Sequence, residues 1–284
     1  MTDLRWGERT YLMGIINLTA DSFSGDGLAP EGRPPGEVHE AALSQAAGFV
    51  EAGADILDVG AESSRPAQFY GEYPRPTPED EAALAVPLVE ALAREHGQRA
   101  MVSIDTTRGS VARSALAAGA GMVNDVWAGR DDPDTIAAAA EGGAHLVLMH
   151  NRERADYPGS PFDQVVAWLR AAVDDALAAG VARDRLVVDP GIGFGKATQH
   201  SVELLHRLGE LKAALGGLPM LVGTSRKRFI GELLGGAPPE RRLEGTIATV
   251  TLAVAQGADI VRVHDVAQVA PALRVADAVS RWRP

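Results

Sequence analysis

Polar side chains that can bind ligands follow or interrupt each of eight short apolar segments in this chain. Carboxylate and amide oxygens accept hydrogen bonds, whereas guanidinium, ammonium and imidazole groups bind anions. Both kinds of group recur along the whole chain, which predicts one shared site with hydrogen-bond acceptors and an anion-binding region. The residues concerned are Asn17, Asp58, Glu62, Arg65, Asp105, Asn124, Asp125, His150 and Asp189, followed by Ser225, Arg226, Lys227, Arg262 and His264.

Alanine-rich helical stretches separate the eight apolar segments, so strands and helices alternate. Parallel strands buried on both faces read as continuous apolar runs, and polar residues collect in the loops after their carboxyl ends. A doubly wound open sheet shares this alternation and is the competing architecture. Eight units favour an α/β fold of the (β/α)8 TIM-barrel type, formed as a single domain by residues 1–284. The predicted strands are 12–16, 56–59, 101–104, 121–123, 146–149, 186–188, 220–222 and 260–263.

Composition restricts the class of protein. Hydrophobic residues make up 46 % of the 284 residues, and the absence of cysteine excludes disulfides and thiol catalysis. Residues 1–11 lack the apolar core of a signal peptide, and no apolar run reaches the roughly 18 residues of a membrane helix. A net charge of −11 argues against nucleic acid or an acidic membrane as the main partner. We therefore expect a cytoplasmic protein with no nucleic-acid or membrane partner.

Local cations stand out against this acidic background. Arg226, Lys227 and Arg228 follow the seventh apolar segment, and Arg262 and His264 lie in and after the eighth. An isolated Arg-Lys-Arg is usually a solvated helix start. Barrels often bind phosphate after strands 7 and 8, so the pairing of the two clusters favours a phosphate site.

Helix signals support the alternation. Thr77 is a plausible N-cap before Pro78 and three acidic residues, and Gly97 would end that helix. Two loops are unusually long, at 19–35 and 62–77, and such loops in compact domains are often functional lids. The histidines at positions 96, 145, 200 and 206 fit no metal-ligand spacing, so we expect surface or helix roles for them.

A glycine-dense turn, Asp-Pro-Gly-Ile-Gly-Phe-Gly-Lys, occupies 189–196. Glycine lets the backbone approach a ligand closely and adopt positive φ, and the order of residues found in nucleotide-binding P-loops is absent. Phe194 either walls a ligand pocket or is an exposed loop aromatic. Met149 either lines the same pocket or belongs to the core.

Five motifs together resemble the dihydropteroate synthase family. They are Asn-Leu-Thr-Ala-Asp-Ser-Phe-Ser at 17–24, Gly-Ala-Glu-Ser-Ser-Arg-Pro at 60–66, the turn at 189–196, Gly-Thr-Ser-Arg-Lys at 223–227 and Arg-Val-His at 262–264. The resemblance runs in order through essentially the whole chain. It implies a (β/α)8 barrel that condenses 6-hydroxymethyl-7,8-dihydropterin pyrophosphate with 4-aminobenzoate to give 7,8-dihydropteroate and pyrophosphate in folate biosynthesis. It also implies Mg²⁺, a homodimer built on helices near the C-terminal units, and sensitivity to sulfonamides. The run 248–255 is apolar enough to contribute to such a dimer, and it is equally consistent with a stripe that faces the barrel.

The acceptors and cations suit these substrates. A buried donor left unpaired costs about 1–3 kcal/mol, so an enclosed pterin needs acceptors such as Asp105, Asn124 and Asp189. The resemblance assigns the same three residues to the pterin ring. It implies catalytic roles for Lys227, Arg262, His264, Arg65 and Asp105, and Asn17 as the Mg²⁺ ligand. The remaining expected substrate contacts are Ser64, Pro66, Met149, Gly193, Phe194 and Ser225.

The first two loops are expected to close over the site, with Asp21, Ser22 and Phe23 in one and Ser64, Arg65 and Pro66 in the other. They depart from the family pattern at Ala20, Ala61, Ser64 and Ala67, where Pro, Gly, Thr and Gly are usual. Arg228 stands where the family often has Ser, and it either pairs with the aminobenzoate carboxylate or points to solvent. These differences concern aminobenzoate and sulfonamide affinity more than pterin binding.

Two other functions remain open at this stage. One is a pterin-binding paralogue without synthase activity, which the loop substitutions allow. The other is an enzyme like the methyltetrahydrofolate corrinoid methyltransferases, which would not need the basic residues after strands 7 and 8.

Overall fold

The computed structural model describes residues 4–19, 27–28, 34–62 and 75–282. Within these ranges eight parallel strands form a single sheet. They are β1 (Tyr11–Asn17), β2 (Ile56–Gly60), β3 (Met101–Asp105), β4 (Met122–Asp125), β5 (His145–Met149), β6 (Leu186–Asp189), β7 (Leu221–Val222) and β8 (Ile260–Val263).

The sheet closes on itself. Its strand order is β6-β5-β4-β3-β2-β1-β8-β7, and every pairing is parallel. A parallel bridge between Val188 and Met220 joins the two ends, where the Val188 N–H donates to the Pro219 carbonyl at 2.9 Å. The predicted (β/α)8 barrel is therefore confirmed, and the open-sheet alternative is wrong.

Helices surround the barrel in the order that the sequence predicts. Thr77 Oγ1 accepts the Asp80 N–H at 3.1 Å, and the Gly97 N–H donates to Ala93, so the second helix begins and ends where its sequence indicates. No helix in the described ranges has both the length and the apolarity needed to cross a bilayer. The α-helices of the described ranges are α1 (Pro35–Ala52), α2 (Pro78–His96), α3 (Gly109–Ala117), α4 (Asp134–Gly142), α5 (Pro161–Ala178), α6 (Thr198–His206), α7 (Leu208–Ala214), α8 (Arg228–Leu233), α9 (Leu243–Ala255) and α10 (Val266–Ser280).

Apolar residues form two cores. The larger core lies between the strands and the helices. The smaller fills the interior of the barrel near the amino ends of the strands, with Met13, Ile56, Met101, Met122 and Ile260. Because alternate residues of a strand face the interior, the next inward positions lie nearer the carboxyl ends, and these are mainly polar.

His145 differs from expectation. It lies in β5 and is 2 % exposed, so the predicted surface or helix role is wrong. Its Nε2 is 3.1 Å from Arg185 Nη1, and its ring meets the ring of Trp6 edge to face. His145 therefore packs at the amino end of the barrel, opposite the candidate site.

Candidate active site

The guanidinium of Arg262 lies among buried polar side chains at the carboxyl end of the barrel. Its Nε donates to Asp58 Oδ2 at 2.6 Å, and its Nη2 donates to Asp105 Oδ2 at 2.7 Å. The Asn124 side-chain amide donates to the same Asp58 oxygen at 3.0 Å. The three partners of this cluster are all buried. Charge-assisted hydrogen bonds at these distances hold the guanidinium in one orientation.

Strand register explains how these residues meet. Asn17 pairs with Gly60, Gly60 with Asp105, and Asp105 with Asn124, across β1 to β4. Register partners on neighbouring strands point to the same face of a sheet. A Cβ on Gly60 would lie 3.4 Å from the Asp105 Cβ, so glycine leaves space at this level. Three predicted site residues thus share one level of the barrel, and Arg262 reaches them from β8.

Lys227 forms a second group with the glycine-dense turn after β6. Its Nζ donates to the Ile192 carbonyl at 2.5 Å and lies 4.4 Å from the centroid of the Phe194 ring. A Cβ on Gly193 would lie 3.1 Å from Lys227 Cδ, and Gly193 has a φ of +83°. The turn therefore encloses the lysine side chain, and Phe194 is a wall of this group rather than an exposed aromatic.

Asp189 lies at the end of β6, between the two groups. Its Oδ1 accepts the Gly191 N–H at 2.6 Å. Burial raises the pKa of Asp189, and the nearby Lys227 opposes this rise. Burial and the nearby Arg262 lower the pKa of Lys227 to about 8, although attraction to Asp189 opposes the shift. A bound anion near the two cations would stabilise their charged forms.

The two groups adjoin each other around Gly223, after β7. A Cβ at Gly223 would be 3.8 Å from Lys227 Nζ and 3.8 Å from Arg262 Cβ. Burial raises the pKa of Asp105, with Arg262 opposing the rise and Asp58 adding to it. The site thus combines carboxylates that are costly to ionise with two cations, which suits a ligand carrying both N–H donors and an anion.

The structure brings Ser225 and His264 together at the ends of β7 and β8. His264 Nδ1 is 2.9 Å from Ser225 Oγ, and the His264 N–H donates to the same oxygen at 3.2 Å. Arg226 instead forms a bidentate ion pair with Asp265, and its φ is +56°.

Arg228 has a partner within its own helix. Its Nη1 forms an ion pair with Glu232 Oε1, one turn further along α8. This pair follows from the i,i+4 spacing in a helix. An aminobenzoate contact of Arg228 stays a prediction.

Met149 and Asp125 occupy neighbouring strand ends. Met149 is buried at the end of β5, in register with Asp189, so it lies beside the site. The Asp125 carboxylate accepts the N–H groups of Trp127 and Gly129, so it serves the turn after β4. The predicted contacts Ser64, Arg65 and Pro66, together with the loop residues Ala20, Asp21, Ser22, Phe23 and Ala67, lie outside the described residues.

Two buried polar residues make contacts that the sequence does not specify. Asp58 is a candidate site residue in the sequence but has no predicted partner there, and Lys196 is not a candidate. Asp58 interrupts an apolar strand, and a charge inside a strand buried on both faces signals an inward-facing partner. Lys196 ends the glycine-dense turn and is 1 % exposed, which the sequence does not indicate.

No group of three or more His, Cys, Asp or Glu residues in the ranges that the structure describes could hold a metal ion. Mg²⁺ commonly keeps several waters and takes only one or two protein oxygens when it binds a phosphate substrate. Asn17, at the level of Asp105, offers one such oxygen and fits this mode.

The fold and site together define an enzyme of the barrel class that binds a polar ligand at the strand ends. A family model described as pterin binding enzyme matches residues 13–264, and the chain belongs to this family.

Within this family, the similar proteins named here are dihydropteroate synthases. The dihydropteroate synthase of Synechocystis sp. is 42 % identical over 285 residues, covering 98 % of this chain and 92 % of that protein. The Mycobacterium leprae dihydropteroate synthase is 43 % identical, covering 94 % and 92 %. The dihydropteroate synthase structure from Clostridium difficile, in the presence of pteroic acid, has a TM-score of 0.87 and 38 % identity, covering 99 % and 100 %. A Xanthomonas albilineans dihydropteroate synthase structure with 4-aminobenzoic acid has a TM-score of 0.84 and 38 % identity, covering 97 % and 95 %.

Proposed function

We propose that this chain catalyses the dihydropteroate synthase reaction of folate biosynthesis. It joins 6-hydroxymethyl-7,8-dihydropterin pyrophosphate to 4-aminobenzoate and releases pyrophosphate. The observation that carries the proposal is the Arg262 cluster, in which Asp58, Asp105 and Asn124 present buried acceptors beside a guanidinium. The relatives named above support the same reaction, and the methyltransferase alternative has no support among them.

The buried acceptors account for pterin recognition. The aminopyrimidinone edge of a dihydropterin carries adjacent N–H donors, and each would cost about 1–3 kcal/mol if buried without an acceptor. Asp105, Asn124 and Asp189 offer oxygens at three strand ends. We assign these three side chains to the pterin ring, with Phe194 and Met149 as apolar walls.

The cations account for the chemistry. The aminobenzoate nitrogen forms a bond to the exocyclic CH₂ carbon as the C–O bond to pyrophosphate breaks, and the electron pair leaves with the pyrophosphate. The amine then loses a proton. No protein nucleophile is needed, so catalysis rests on stabilising the leaving group and orienting the reactants. We assign leaving-group stabilisation to Arg262 and His264, and pterin and aminobenzoate contacts to Lys227 and Ser225.

We include Mg²⁺ in the proposal, with Asn17 as its protein ligand. The ion would offset charge on the pyrophosphate while keeping several of its waters. Removal of the metal with a chelator should abolish turnover, and Asn17→Ala should raise the Mg²⁺ concentration needed for half-maximal rate.

The first test is pyrophosphate release with Mg²⁺, measured with and without 4-aminobenzoate. Release that requires the arylamine, together with formation of dihydropteroate, supports the proposal. Pterin binding without turnover would instead identify a pterin-binding protein that lacks synthase activity.

A homodimer is also part of the proposal. Leu252 of α9 and Val275 and Val279 of α10 are 62 %, 66 % and 74 % exposed, on helices that pack against each other. Burying such side chains against a second copy is favourable. In sedimentation experiments the wild type should be a dimer and Val275→Glu should be a monomer. If both proteins are monomers, the proposed dimer is wrong. The expected cytoplasmic location stays a prediction, which cell fractionation would test.

A further inference from the structure

Lys196 is the largest side chain that is almost completely buried in the described part of the chain. Its Nζ is 2.8 Å from His150 Nδ1, 3.0 Å from the Phe194 carbonyl and 3.4 Å from the His150 carbonyl. Burial, together with the nearby positive charges of Lys196 and Arg152, lowers the pKa of His150 to about 2, so the imidazole is neutral. All three groups around Nζ are therefore neutral.

This arrangement satisfies the amine in either protonation state. An ammonium donates one N–H to each of the three groups, with the His150 proton on Nε2. A neutral amine donates to the two carbonyls and accepts from an Nδ1–H. The interaction ties together the end of β5, where His150 follows Met149, and the turn after β6.

The turn that Lys196 holds is tightly packed. A Cβ on Gly191 would lie 1.9 Å from the His150 carbonyl oxygen, and a Cβ on Gly195 would lie 2.1 Å from the Arg152 carbonyl oxygen. The backbone of the turn thus lies directly against residues 150–152. Such close approach restricts the turn, and in the observed conformation the Ile192 carbonyl and the Phe194 ring contact the Lys227 ammonium.

We propose that Lys196 is a positioning residue for Lys227. By joining the Phe194 carbonyl to His150, it fixes the turn whose Ile192 carbonyl and Phe194 ring hold the Lys227 side chain. Lys196 touches neither Lys227 nor the reacting atoms, and it acts through the turn. The proposal rests on the proposed function for its kinetic readout, whereas its binding readout does not require turnover.

A partly buried lysine away from the site, Lys212, provides a control for the loss of a lysine contact. Lys212 of α7 donates to Asp259 at 2.6 Å and to the Gly257 carbonyl at 2.7 Å, just before β8 begins. This contact lies at the amino ends of the strands, on the side of the barrel opposite the site. Lys212→Met should destabilise the fold without disturbing the turn at 189–196.

The test compares Lys196→Met, His150→Phe and their double variant. His150→Phe keeps a ring against Tyr157 and Trp168 but removes the Nδ1 acceptor. Each single variant should weaken pteroic acid binding, measured by calorimetry, by about tenfold, the loss expected for one hydrogen bond. The double variant should also lose about tenfold rather than a hundredfold, because both changes remove one interaction.

Further measurements separate positioning from general stability. His150→Asn, which keeps an acceptor near Nδ1, should bind pteroic acid close to the wild-type level. Lys212→Met should melt at a lower temperature with unchanged binding. In Lys196→Met the alkaline limb of the kcat/KM profile, which reports Lys227, should move to higher pH as the lysine becomes more exposed.

Several outcomes would overturn the proposal. The first is that Lys196→Met binds pteroic acid like the wild type and its kcat/KM profile keeps the same alkaline limb. The second is that the losses of the two single variants add in the double variant. The third is that Lys212→Met loses as much binding as Lys196→Met. If Lys196→Met does not fold, equal binding by His150→Phe and His150→Asn overturns it. If the wild type binds pteroic acid without turnover, the proposed function fails while the binding comparison still tests Lys196.

Discussion

Arg262 and Asp58 are 204 positions apart in the sequence, yet the Nε of one lies 2.6 Å from the Oδ2 of the other. Asp58 is fully buried, and Asn124 donates to the same oxygen. One carboxylate on β2 therefore orients a cation on β8 and an amide on β4. The geometry of the proposed pterin site therefore depends on a buried residue, Asp58, to which we assign no contact with the pterin.

Replacement of Asp58 by Asn should disturb the site more than its small size change suggests. The variant removes one of two carboxylates that neutralise Arg262, so we expect a loss of about 2 kcal/mol in the free energy of unfolding, less than for a fully unpaired charge. The KM for the pterin substrate should rise at least about tenfold. Urea unfolding and steady-state kinetics measure the two effects.

The control for this variant is Asp277→Asn. Asp277 accepts hydrogen bonds from Thr10 and Arg281, remote from the site. It should lose stability with wild-type kinetics. An unchanged KM in Asp58→Asn would show that Asp105 alone orients Arg262.

Removal of Arg262 should reduce turnover without unfolding the protein. Arg262→Ala leaves Asp58 and Asp105 facing each other, and it removes the guanidinium that we assign to the leaving group. Loss of one group that stabilises developing charge costs about a hundredfold or more in kcat. Circular dichroism checks the fold, and pyrophosphate release measures the rate; an unchanged rate would contradict the assigned site.

The activity should fall as the pH rises through about 8, where Lys227 loses its proton. Activity falls rather than rises with pH because the charged lysine attracts the anionic substrate and the neutral lysine does not. This loss of activity should appear as an alkaline limb in the pH profile of kcat/KM, which reports the pKa values of the free enzyme. Lys227→Arg should be slower but should lack this limb, since a guanidinium stays charged. Persistence of the limb in Lys227→Arg would assign it to another group.

Gly191→Ala should damage the site far more than a matched glycine substitution. Gly191 has a φ of +65° and a Cβ there would overlap the His150 carbonyl, whereas Gly143 has a φ of +59° and open space around it. Gly143→Ala should cost about 1–2 kcal/mol from backbone strain alone. Gly191→Ala adds the steric clash, so pteroic acid binding should be lost as well. Equal effects in unfolding and binding assays would mean that the turn adjusts easily.

The sequence predicted the barrel and the level of its polar residues, because strand ends in a parallel barrel meet at one rim. It did not predict which carboxylates pair with Arg262, since that depends on how the strands are staggered around the barrel. The environment of Lys196 depends likewise on the position of β5. The ion pair between Arg228 and Glu232 can be predicted from the sequence, because the two residues are one helical turn apart in a helix that begins at residue 228.

The backbone of the barrel is least continuous between β6 and β7. β7 has two residues, and β6 meets this part of the chain through the Val188–Met220 bridge. The hydrogen bond from Lys227 to the Ile192 carbonyl connects the loops that follow these same two strands, β7 and β6. A pterin bound by both Asp189 and Lys227 would therefore bridge β6 and the residues after β7. Substrate binding would then also stabilise the closure of the barrel between these two strands.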